Sequence, residues 1–187
     1  MRPAPIWPPR AGGQRGPCTL GQGRRDAIGG GLKRSYRRGR KAFRQARARP
    51  DDEHLHEWRK RAKDTWYHLR LIAPVCGEGI RGEAKDAHAL ADLLGDDHDL
   101  AVLRERLIAH GHEVATDVDA LLGLVDHRRA QLQSEAMLAG ERVYAERPKA
   151  FMRRIHRCWH AGRAEARAAR ASDPAELAEA SRAVAVA

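Results

Sequence analysis

Residues 54–72 read HLHEWRKRAKDTWYHLRLI. Plotted at 100° per residue, Leu55, Trp58, Ala62, Trp66, Leu69 and Ile72 fill one arc. His56, Arg59, Lys60, Lys63, Tyr67 and Arg70 share the neighbouring arc. The period predicts an amphipathic helix that packs on one side and presents a cationic strip on the other.

Working outward, the chain from Leu32 onward is rich in Ala, Leu, Arg, Glu and Lys, with apolar residues at three- and four-residue spacing and no convincing strand. Helices are expected at 32–49, 52–74, 82–94, 97–110, 114–146 and 148–170. Pro50, Pro74 with Gly77, Gly95, Gly111 and Pro148 divide them. The expected fold is all-α, a bundle of about four to six helices. Residues 1–30 carry five of the nine prolines and clustered glycines without apolar period, which reads as a disordered leader or as sequence standing in for a lost segment. The expected organisation is therefore a leader over 1–30, a helical domain over 31–170 and an alanine-rich tail over 171–187.

The cationic strip recurs. Over 32–49, Arg34, Arg37, Arg38, Lys41 and Arg44 lie together, opposite Leu32, Tyr36, Phe43 and Ala46. Over 148–170, Lys149, Arg153, His156, Arg157, His160, Arg163 and Arg167 share an arc opposite Phe151, Ile155, Cys158 and Trp159. Gly162 falls on that apolar side, where its missing side chain allows close helix approach. Solvated helix faces normally mix signs, because a Glu four residues before a Lys stabilises by about 0.2–0.5 kcal/mol and like charges cost a similar amount. Strips of nearly one sign point to a bound polyanion that relieves the repulsion. All three rows are expected to line a shared surface.

The net charge of +10 agrees with a polyanionic partner. Three cysteines, far apart and in no C-x-x-C pair, argue against a disulfide framework or zinc ribbon and for a reducing, cytoplasmic setting. No apolar run is long enough for a membrane span. No cofactor is implied.

Three other readings arise. Nucleic-acid binding would use the same strips, but single-strand binders interleave exposed aromatic rings, and only Tyr67 sits in a basic arc. A metal-dependent phosphohydrolase would use His98 and Asp99, yet Leu94-Gly95-Asp96-Asp97-His98-Asp99 reads better as a helix end at Gly95 followed by an N-cap at Asp96, with Asp99 placed to hold Lys63 or a nearby Arg. His54 with His56, or His156 with His160, could pair on a metal, but no third ligand is evident and no metal is expected. His156 and His160 lie within a cationic arc that would repel a metal dication, so phosphate contact suits them better, with binding that strengthens as pH falls.

The stretch at 54–72 and ALADLLGDDHDLAVLRERL at 89–107 resemble the second half of the CHAD domain, the conserved histidine α-helical domain. GLKRSYRRGRKAF at 31–43 and PKAFMRRIHRCW at 148–159 are similar to its flanking helices, so the likeness covers about 31–170. The resemblance implies two pseudo-symmetric four-helix halves around a basic cleft, a polyphosphate ligand, no catalytic residues and association with polyphosphate granules. It implies His56, Arg59, Lys60 and Lys63 as first contacts, Arg34, Arg37, Arg38 and Lys41 from the preceding helix, and Arg153 and Arg157 from the last. Arg70, on the same arc, completes the expected set. A missing first half would leave an apolar seam exposed, so either a homodimer that completes the cleft or a truncated remnant that folds poorly is expected, and a CYTH-type triphosphatase is an implied partner.

Overall fold

The computed structural model describes residues 22–111 and 117–171, all of the regular structure being helical. Of the leader expected over 1–30, residues 1–21 lie outside the described residues and 22–30 are helical, while the tail after Ala171 lies outside the described residues. Five helices follow in order: α1 (Gln22–Ala48), α2 (Asp52–Cys76), α3 (Glu78–His110), α4 (Val118–Val143) and α5 (Pro148–Ala171).

Helix α1 packs on α2, α2 most extensively on α3 and α3 on α4, and α5 returns to lie against α2 and α1. Short turns enforce this order. Asp51 caps α2 by accepting from the His54 amide at 2.9 Å. A single residue, Gly77, joins α2 to α3 with φ of 80°, a left-handed value that glycine adopts without strain. Asp117 caps α4 through the Ala120 amide at 3.1 Å.

The core gathers one stripe from each helix. Trp58 is fully buried beneath Phe43, with ring centroids 5.0 Å apart, and a Cβ at Gly140 would collide with both rings. Tyr36 stacks on Phe151 at 3.9 Å, and its hydroxyl donates to the Glu146 carbonyl at 3.0 Å. Burial pushes the Tyr36 phenol up to about 12. Trp66 and Trp159 pack half-buried against the same core, as their apolar arcs imply.

Three boundaries differ from the sequence expectation. Helix α1 starts at Gln22, running through Gly29, Gly30 and Gly31, because Gly31 lets α1 approach the His68 ring of α2: a Cβ there would sit 2.9 Å from Nε2. Pro74 lies inside the last turn of α2 and does not end it. Gly95 is no helix end either, and α3 continues through it for 33 residues. Its bare Cα faces the Arg59 side chain of α2, so the glycine serves contact between helices. Asp96 is consequently not an N-cap.

Candidate polyanion-binding surfaces

On α1 the core-facing side holds Leu32, Tyr36, Phe43 and Ala46, which forces Arg34, Arg37, Arg38, Lys41 and Arg44 outward, where all are exposed. Together with Arg40 and Pro148 they line a cleft of about 410 Å³. No carboxylate and no α2 residue is among the described residues lining it. Arg40 is anchored by donating from Nε to the Tyr144 carbonyl at 3.1 Å.

Helix α5 borders this cleft through Pro148 at its first residue. Phe151, Met152 and Ile155 bury its inner side, leaving Lys149, Arg153, His156, Arg157, His160 and Arg167 exposed. The His156 ring reaches towards Gly29, 3.7 Å from where a Cβ would stand, so the rows of α1 and α5 lie on one flank. Arg154 belongs to neither row. It holds α5 to α3 by donating to Glu83 and also grips Glu146 at 3.1 Å. Burial works against its charge, yet these carboxylates outweigh that and push its pKa up.

The α2 row is turned away from α1, towards α3. The His56 ring lies over the His98 ring with centroids 4.6 Å apart, and the Arg59 guanidinium packs against Gly95. Lys63 is half-buried, whereas Lys60 and Arg70 are exposed. Arg70 sits over the Trp66 ring at 5.8 Å, and Tyr67 stacks on Trp66 at 4.5 Å. Burial first, then the charges of His98, Lys60 and Arg59, lower the His56 pKa from its ordinary value. His56 Nδ1 and Arg59 Nε are both buried without a hydrogen-bond partner. The exposed cations of this row, Lys60 and Arg70, are the ones an arriving anion can reach.

The opposite edge of α2 carries the acids. Glu57 pairs with Lys60 Nζ at 2.7 Å and Arg61 Nε at 2.9 Å, and Asp64 accepts from Arg61 at 2.7 Å. The hydrogen bond from Lys60 leads in holding the Glu57 carboxyl below its ordinary range. Glu53 and Glu57 join Ala42 and Gln45 in the groove between α1 and α2. The three cationic rows thus form two surfaces, one on α1 with α5 and one on α2 beside α3, with carboxylates between them.

The remaining histidines and acids are dispersed. His54 hydrogen-bonds Asp51 at 2.5 Å and faces the α1 groove, away from His56. Asp99 is exposed and makes no ion pair with Lys63. No group of three or more His, Cys, Asp or Glu side chains that could hold a metal occurs among the described residues. Sequence reading passed over His98 as a partner of His56, and it passed over Asp97. Asp97, 2% exposed, accepts from Arg129 Nε at 3.0 Å and Gln133 at 2.9 Å, while Arg129 also bonds Asp52, so one buried knot ties α2, α3 and α4 together. The spacing of Leu90, Leu94 and Asp97 along one helix face was the available signal.

A family model described as the CHAD domain matches residues 8–108, more than half of the chain. The match takes in α1, α2 and most of α3, begins before the 31–170 of the sequence likeness and stops short of α4 and α5. No curated protein and no solved structure matches the chain.

Proposed function

Since the chain belongs to the CHAD domain family, we propose that it is a binding module for inorganic polyphosphate, held by the basic faces of α1, α2 and α5. The observation that carries this reading is the α1 cleft, whose charged lining consists of five arginines and one lysine. Arg34, Arg37, Arg38 and Lys41 supply first contacts there, with Arg153 and Arg157 extending the track along α5. His56, Arg59, Lys60, Lys63 and Arg70 hold polymer at the α2 surface.

Energetics favour a polymer. An exposed ion pair contributes about 0.2–1 kcal/mol, and micromolar affinity requires about 8 kcal/mol. About ten such contacts must therefore act together. Arginine offers a planar fork to two phosphate oxygens, which a chain of phosphates can meet repeatedly. The module binds and does not catalyse; a CYTH-type triphosphatase on another chain would supply chemistry. Leu93 and Leu138 in the groove between α3 and α4 support a second copy as a further partner, since Leu138 is 58% exposed. No helix among the described residues is long and apolar enough to cross a membrane.

The deciding experiment is competition between long-chain polyphosphate and DNA at equal charge concentration and physiological salt. Preferential retention of polyphosphate is expected. Preference for DNA would refute the reading and favour a nucleic-acid module, for which the exposed Tyr67 is the sole stacking ring in the α2 row.

A further inference from the structure

We propose that one copy of this protein bridges two polyphosphate segments, one on the α1/α5 surface and one on the α2/α3 surface, and so cross-links polymer. The inference rests on the polyphosphate reading above and adds an activity to it.

It follows from the rotation of α2. Seen along that helix, His56 and Arg59 point at His98 and Gly95 of α3, while Glu53 and Glu57 point into the groove against Gln45 of α1. Glu53, Glu57 and Asp64 stand at offsets of 0, 4 and 11, which places all three carboxylates on one edge. A phosphate chain crossing directly from the α1 cleft over the α1–α2 groove to the α2 cations passes these acids. Arg61 does not offset them for a ligand, because it is already engaged by Glu57 and Asp64. Lys60 Nζ likewise leans on Glu57.

The lower-energy course for polymer in the cleft runs the other way, along the exposed Lys149, Arg153 and His156 of α5, where α1 and α5 meet. The α2 surface is then left to a second segment. When both segments belong to one long chain the protein pins a loop, and when they belong to different chains it joins them. With polymer of many repeats and a protein of two sites, joining produces a network whose size peaks near charge equivalence.

Two measurements on the full chain test this. Titration calorimetry with a short, narrowly sized polyphosphate is expected to give two chains bound per protein. Light scattering with long-chain polyphosphate is expected to rise and then fall as polymer passes equivalence. The variant Arg34→Gln/Arg37→Gln/Lys41→Gln and the variant Lys60→Gln/Lys63→Gln/Arg70→Gln should each bind one short chain and lose the scattering peak, with helical circular dichroism retained. One short chain per wild-type protein would overturn the proposal, as would a scattering peak that survives in either variant, since a dimer or simple charge neutralisation would then do the joining. Absence of binding to any polyphosphate would instead refute the functional reading itself, and the proposal with it.

Discussion

Replacing Gly162 by Ala separates two opposing effects of one methyl group. In a helix interior open to solvent, Gly→Ala stabilises by about 1 kcal/mol through helix propensity. Gly123 in α4 provides that background, because a Cβ there would have nothing within 4 Å. At Gly162 the added Cβ would overlap the carbonyl oxygen of Val75, a backbone atom that no rotamer change can move aside. Overpacking of this kind costs about 1–3 kcal/mol, more where a helix must shift. The net result for Gly162→Ala is a loss of up to about 2 kcal/mol, since the backbone overlap puts its cost at the upper end, whereas Gly123→Ala gains up to about 1 kcal/mol. For a chain of this size 1 kcal/mol moves the melting temperature by about 2–4 °C, so the two variants should shift in opposite directions by several degrees in a thermal scan. Because Gly162 seats α5 on α2, Gly162→Ala should also weaken polyphosphate binding through the displaced α5 row, and Gly123→Ala should not. If both variants were stabilised alike, the close contact between α2 and α5 would be wrong, and with it the position of half the α1/α5 surface.

Asp97→Ala leaves the Arg129 guanidinium with Asp52 alone and Gln133 without its acceptor, and should lower stability in urea by up to about 3–5 kcal/mol, while the paired change Asp97→Leu/Arg129→Met should cost far less. His56 is surrounded by Arg59, Lys60 and Glu57 of its own helix and His98 of α3. Its lowered pKa means the unfolded chain takes up the proton more readily, so its contribution to stability is present above the ordinary histidine value and is lost as pH falls through the folded one. Bound phosphate reverses that preference. Polyphosphate affinity should therefore rise from about pH 8 to about pH 6, and His56→Gln should flatten the rise in an anisotropy titration. The Cys76 thiol is pushed up to about 11, by burial first and then by Cys158 and Glu83. Native protein at about pH 8 should be alkylated at Cys76 many times more slowly than urea-unfolded protein, as read by mass spectrometry.

What a single strand of residues declares about itself proved legible, and what depends on a neighbour did not. The apolar arcs of α1, α2 and α5 mark the core residues Tyr36, Trp58 and Ile155, and Gly162 is a close-approach residue because it lies on such an arc. The family was legible too, from the stretches at 54–72 and 89–107. Gly95 misled because glycine before an Asp-rich run is the ordinary sign of a helix end, and only the Arg59 side chain across from it explains why α3 continues. Asp97 was passed over for the same reason, since its burial needs Arg129, 32 residues away in sequence.

The deepest limit concerns rotation. A helical wheel fixes which side chains share an arc, but the azimuth of that arc in the assembled bundle is set by which neighbours its apolar side meets. Trp58, Leu69 and Ile72 turn inward, and that settles where the cations of α2 emerge: beside α3, on the far side of Glu57 from α1. Three rows alike in composition therefore end as two surfaces. The carboxylates between them carry the distinction, and Glu57 is the hinge of it, since its side chain both engages Lys60 and lines the groove that a polymer would have to cross. Removing that acid with Glu57→Gln should make the two surfaces more nearly one, drawing the count of short chains bound per protein down from two towards one. An unchanged count would show that distance, and not the acidic edge, keeps the sites apart.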